Sequence, residues 1–175
     1  NAPAEKLIPL PDADPLQLAM LTVNPPTASL LLSEFVDLKP GDWVIQNAAN
    51  SGVGSYLIQL AKLRGFKTIN VVRRESAVAG VEAEGGDVVL VDGPDLAKRV
   101  RAATGGANVR LGIDAVGGES TDHLAASLCE GGVLVNYGMM SRQPCRVSPA
   151  SFVFRDVSLR GFWLAKWFQN ASQAE

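Results

Sequence analysis

Apolar residues alternate between two periods along this chain. Short runs such as Trp43 to Gln46, Thr68 to Val72 and Val88 to Val91 place β-branched and aliphatic residues side by side, as strands buried on both faces do. Between them, apolar residues fall at helical spacing: Val53, Leu57, Leu60 and Ala61 form one face of a helix predicted over 53–64. Continuing in order, the pattern predicts helices over 76–84, 96–103 and 120–128 and a helical turn over 148–154. Further strands are predicted at 111–116, 132–137 and 158–164. Strands alternating with helices in this way imply a parallel sheet with helices on both faces. Right-handed crossovers then leave a doubly wound, six-stranded α/β arrangement.

The segment before the first strand reads differently. Residues 3–15 carry four prolines and form an extended connector, so the domain proper is placed at 16–175. Leu16 to Leu21 suggests one or two helical turns. A second helix is expected from Asn24 to about Val36, with Asn24 as its cap and the prolines preset for the first turn. Asn1-Ala2 is set aside as a candidate cloning remnant, and the sequence as a piece of a longer protein.

The connection after the first strand carries the clearest chemical signal. Asn47 to Gly54 turns through small and amide residues directly into the 53–64 helix. A helix N-terminus presents unpaired N–H groups and partial positive charge, which suit a pyrophosphate, so the turn is read as a dinucleotide-binding loop of the Rossmann type. Laid on G-x-G-x-x-G, the hexamer Ala49 to Gly54 matches only at its last glycine, and an ordinary strand-to-helix turn is the competing reading. Asn50, Ser51, Gly52 and Val53 are the residues expected to hold the pyrophosphate.

The second strand ends in Arg73-Arg74, 19 positions beyond Gly54. An NAD-preferring fold of this kind places a carboxylate about 20 residues on, to hold the ribose 2′-hydroxyl. A guanidinium there instead grips a 2′-phosphate, which favours NADPH over NADH. Two solvated surface arginines are the alternative, and Glu75 could neutralise one of them. Ligands of doubly wound sheets lie across the carboxyl ends of the strands. The remaining ends supply Gly117-Gly118, Tyr137, Gly138, Met139, Met140, Phe162, Trp163 and Leu164 as cofactor-side candidates. Gly117-Gly118 could equally be helix-entry turns, and Tyr137 to Met140 and Trp163 could be packing residues.

Charge and composition mostly exclude. A net charge of −2 gives no case for nucleic acid or an anionic membrane, and no apolar run approaches the ~20 residues of a membrane span. Cys129 and Cys145 are too few and too isolated for a disulfide framework or a metal site, so no metal is expected. His123, the single histidine, is expected on a helix surface, and Asp114 inside a strand as a structural hydrogen-bond anchor. No acid–base or nucleophilic constellation assembles; hydride chemistry belongs to the nicotinamide, and the protein binds and orients it. A cytoplasmic location is expected, or the mitochondrial matrix in a eukaryote.

Several segments together resemble one family. Leu7-Ile-Pro-Leu-Pro, Thr22-Val-Asn-Pro-Pro-Thr-Ala28, Gly41 through Gly54, Thr68-Ile-Asn-Val-Val-Arg73, Tyr137-Gly-Met-Met140 and Arg160-Gly-Phe-Trp-Leu164 look like the medium-chain dehydrogenase/reductase superfamily. They look closest to its zinc-independent 2-enoyl thioester reductases of mitochondrial type, neighbours of the quinone oxidoreductases. The resemblance implies NADPH-dependent reduction of a 2-enoyl-CoA or acyl-carrier-protein thioester. It implies Asn24 near the nicotinamide, Arg73 and Arg74 at the 2′-phosphate, and Tyr137 to Met140 with Phe162 to Ala165 around the nicotinamide. A catalytic tyrosine is implied in a lobe that this chain does not carry, and a homodimer through the sixth-strand edge. A quinone or small-enone reductase, a non-catalytic NADPH sensor and a doubly wound domain that binds no dinucleotide are the competing readings.

Overall fold

Successive residues of a strand point to opposite faces, and in the central strands of this chain both faces are buried. The computed structural model describes residues 10–171; residues 1–9, which include part of the proline-rich connector, and 172–175 lie outside them. Six strands, β1 (Trp43–Gln46), β2 (Lys67–Val72), β3 (Val88–Val91), β4 (Val109–Asp114), β5 (Val133–Asn136) and β6 (Ser158–Gly161), form one sheet. All are parallel, in the order β3-β2-β1-β4-β5-β6. The order reverses between β1 and β4, which makes this the switch point of a doubly wound Rossmann fold.

Among the described residues eight α-helices accompany the sheet: α1 (Pro15–Leu18), α2 (Asn24–Leu31), α3 (Gly52–Leu63), α4 (Val78–Ala83), α5 (Leu96–Thr104), α6 (Glu119–Ser127), α7 (Pro149–Arg155) and α8 (Leu164–Asn170). Strand alternation divides the core. Val44, Leu111, Ile113 and Val135 pack with Ala28 and Leu31 of α2 and Leu57 and Ala61 of α3. Ile45, Ile69, Val71 and Leu134 pack with Leu96 and Val100 of α5 and Leu124 of α6. A smaller cluster joins Ile58, Val72 and Val81 beneath the first crossover.

Several element boundaries differ from the expectation, each for a local reason. The helix expected to reach Val36 stops at Leu31, where the Ser33 hydroxyl donates back to the Ser29 carbonyl (3.2 Å). Beyond it, Leu38 is drawn into the core and Phe35 meets Phe162 edge-to-face with centroids 6.0 Å apart. Asn24 does not cap α2. Val23 holds the cap position without a side-chain bond, and the Asn24 N–H is already spent on the Met20 carbonyl (3.0 Å) of a preceding turn. The span 76–84 divides into a 3₁₀ turn (Glu75–Ala77) and α4. The fourth strand starts earlier than expected and ends at Asp114, because the Asp114 carboxylate takes the N–H groups of Val116 (2.8 Å) and Gly117 (3.0 Å) into a turn. The sixth strand ends at Gly161, and Leu164 opens α8, an element the apolar Phe-Trp-Leu run concealed.

Candidate functional site

The carboxyl ends of the strands converge on one buried carboxylate. Asp114, fully buried at the end of β4, accepts five hydrogen bonds. Oδ1 takes Asn47 Nδ2 (2.6 Å) and the Val116 and Gly117 N–H groups; Oδ2 takes the Thr121 hydroxyl (2.7 Å) and Asn136 Nδ2 (3.0 Å). Asn47 returns the link by accepting the Ala115 N–H (2.8 Å) and also donates to the Ser120 hydroxyl (3.0 Å). A buried charge is tolerated where its lone pairs are filled in this way. The network ties the ends of β1, β4 and β5 and fixes the loops that leave them. Asp114 therefore has the anchoring role expected of it; Asn47, Ser120 and Asn136 were not anticipated, although polar residues closing apolar strands are a legible signal.

The loop from β1 to α3 is held as tightly. Ala48 adopts a left-handed conformation (φ 48°), and the Ser51 N–H bonds the Ala48 carbonyl (2.9 Å). Ser51 caps α3 by accepting the Gly54 N–H (3.2 Å), while Gln46 Nε2 holds the Gly54 carbonyl (3.1 Å). Among the described residues the N–H groups of Gly52 and Val53 find no partner, so the α3 N-terminus presents them outward. A Cβ on Gly54 would lie 2.7 Å from the Ala49 carbonyl carbon and 2.8 Å from the Ala48 oxygen. At Gly52 a Cβ would collide with the Asn24 amide, which places Asn24 over the same helix end.

Two clefts flank this centre. The first, a cavity of about 320 Å³, is lined by Asn47, Ala48 and Asn50 of the loop, Arg73 and Arg74 after β2, Ala77, Asp92, Val116, Ser120, Met140 and Ser141. Both arginines are exposed, and among the described residues no carboxylate, Glu75 included, forms an ion pair with either. The second, about 640 Å³, gathers Tyr137, Gly138, Met139, Phe162 and Trp163 with Asn136, Gln143, Cys145 and Lys166. Trp163 is 69% exposed there, so it is no packing residue. Burial raises the Tyr137 hydroxyl to about 12; the neighbouring Ser51 hydroxyl opposes the shift and the Asp114 charge adds to it.

Not every candidate reaches a cleft. Gly117 is buried with φ 78°, and a Cβ there would meet the Gln143 carbonyl at 2.8 Å, so its side faces a loop. Leu164 lies in the first turn of α8 and lines neither cleft. His123 is not the free surface residue expected. Its side chain is only 19% exposed, and Nδ1 lies 2.8 Å from Asp92 Oδ1. Sequence spacing could not reveal this contact, which joins α6 to the end of β3.

Known proteins share this arrangement. The sequence profile of the family described as zinc-binding dehydrogenase matches residues 52–174. The mitochondrial enoyl-[acyl-carrier-protein] reductase of Dictyostelium discoideum is 41% identical over 180 residues, covering 98% of this chain and 51% of that protein. The structure of Etr1p with NADP and crotonyl-CoA superposes with a TM-score of 0.83 at 30% identity, over 90% of this chain and 46% of that one. A protein of Bacillus thuringiensis assigned as an NADPH:quinone reductase superposes with a TM-score of 0.86 at 26% identity, over 98% and 52%. The chain thus spans about half the length of the relatives it matches. Zinc, which the family description names, does not fit the residues here: among those described, no three His, Cys, Asp or Glu side chains cluster to ligate a metal.

Proposed function

The chain belongs to the zinc-binding dehydrogenase family, within the medium-chain dehydrogenase/reductase superfamily, and on that footing we propose that it is the NADPH-binding half of a 2-enoyl thioester reductase. One observation carries the cofactor choice: two unpaired arginines share a cleft with the loop that opens α3. Arg73 and Arg74 hold the 2′-phosphate, and the free Gly52 and Val53 N–H groups with Asn50 hold the pyrophosphate. The second cleft, with Tyr137, Gly138, Met139, Phe162 and Trp163, receives the nicotinamide; Met140 lines the first cleft, and Asn24 lies over the N-terminus of α3. When bound, NADPH supplies the hydride that reduces the double bond. The Asp114 network holds the loops between the two clefts at a fixed separation, and the exposed Met139 and Trp163 form an apolar wall that excludes water once covered.

Substrate identity rests on the relatives, of which the Dictyostelium protein is named an enoyl reductase and the Etr1p complex contains crotonyl-CoA. The rest of the whole protein contributes the substrate lobe and catalytic acid, and the protein works in the mitochondrial matrix or cytoplasm. The coverage of the quinone reductase superposition favours a second reading, quinone or small-enone reduction. Fluorescence titration with NADPH and NADH at one salt concentration tests the cofactor assignment. A preference for NADPH of about tenfold, worth about 1.4 kcal/mol, is expected; equal affinities would remove the role of the arginines. Assay of the full-length protein on crotonyl-CoA against a quinone separates the two substrates.

A further inference from the structure

The first cleft holds an acid that the cofactor assignment leaves unused. Asp92 follows β3, and its backbone N–H donates to the Val72 carbonyl (2.8 Å), so it stands beside Arg73 at the ends of two paired strands. Its side chain is 25% exposed and lines the cavity. Oδ1 is engaged twice, by the Gly93 N–H (2.8 Å) and by His123 Nδ1 (2.8 Å). A carboxylate has no proton to give, so Nδ1 carries the hydrogen and donates it. Oδ2 has no protein donor among the described residues. The carboxylate is therefore fixed by one oxygen and offers the other as a single oriented acceptor. Beside it the cavity wall is apolar, through Val71, Val72 and Ala77, which suits the face of a flat ring, while Arg73 and Arg74 attract phosphate.

Resting on the reading that this cleft takes the adenosine end of NADPH, we propose that Asp92 determines base specificity. Its Oδ2 accepts a hydrogen bond from the 6-amino group of adenine, and His123 is the positioning residue that aims it. A 6-oxopurine sets an acceptor against that acceptor and is rejected, as sites built for a hydrogen bond reject partners that cannot make it.

The chain is titrated with NADPH and with reduced nicotinamide hypoxanthine dinucleotide phosphate, following the dihydronicotinamide fluorescence. The wild type is expected to favour NADPH by about tenfold, the range of one hydrogen bond to a charged group. Asp92→Asn brings the ratio near unity, because a carboxamide offers either a donor or an acceptor; His123→Gln narrows it partway by loosening the carboxylate. The NADPH-to-NADH preference, set by the untouched arginines, persists in both variants and reports an intact site. A wild type that binds the two bases equally, or a ratio that survives Asp92→Asn, overturns the proposal while leaving the cofactor assignment standing. Binding of neither dinucleotide overturns both.

Discussion

Arg73 and Arg74 act as free charges because the fold leaves their guanidinium groups without a carboxylate among the described residues. Arg73→Ala is expected to weaken NADPH by about 1–3 kcal/mol, the range of charge-assisted hydrogen bonds, and to leave NADH nearly unchanged. Parallel titrations check it; equal losses would place Arg73 outside the phosphate site. Tyr137 carries a second residue-scale consequence. Burial raises its hydroxyl from 10.0 to about 12, so the folded state holds the proton more tightly than the unfolded chain. That stability is fully present below pH 10 and is lost as pH rises toward about 12. Tyr137→Phe should flatten the decline in unfolding free energy across this window by on the order of 2 kcal/mol, read from urea melts at successive pH values. Parallel curves for variant and wild type would assign the decline to other groups.

Among the elements, α3 is seated by contacts that pull in one direction. Its N-terminus is held through Gln46 and Ser51, its apolar face buries Leu57, Ile58 and Ala61, and Gly54 lets it close on the preceding loop. Two glycine substitutions should therefore differ. Gly54→Ala sets a methyl group against backbone atoms that cannot yield, and is expected to cost about 1–3 kcal/mol of stability together with dinucleotide binding. Gly52→Ala meets only the side chain of Asn24, which can swing aside, so its stability loss should be smaller. Chemical denaturation of both variants decides the matter, and equal losses would mean that α3 does not depend on that close approach.

For the whole molecule, the sheet ends at β6, whose four residues are all exposed. Leu159 on this strand and Phe152, Val153 and Phe154 on α7 are exposed apolar groups. An unpaired edge with apolar neighbours is a template for another strand, and two-fold pairing is the simplest closed solution. We expect a homodimer by light scattering, and Leu159→Lys should shift it toward monomer by placing like charges on facing edges. A monomeric wild type, or a dimer indifferent to the lysine, would move the interface elsewhere.

The doubly wound fold was legible because burial on both faces of β1 and β2, and partial burial of β3, writes itself as consecutive apolar residues, and the crossover helices carry the other period. The loop before α3 and the Arg73-Arg74 pair were legible for a related reason: their chemistry is local, set by a glycine turn and by the residues that close a single strand. The end of β4 was not, because Asp114 stops that strand by capturing N–H groups beyond it, and its remaining donors come from the residue after β1, from β5 and from α6. Nor was the extent of α2, set by Ser33 and by the pull of Phe35 and Leu38 toward the core. Local period and turn chemistry are properties of neighbouring residues, so the sequence by itself determined the class of fold and marked the loop proposed to take a dinucleotide. Contacts across distant strands have no period, so only the tertiary structure decided which acid sits at the centre, that His123 serves Asp92, and that the candidate residues divide between two clefts.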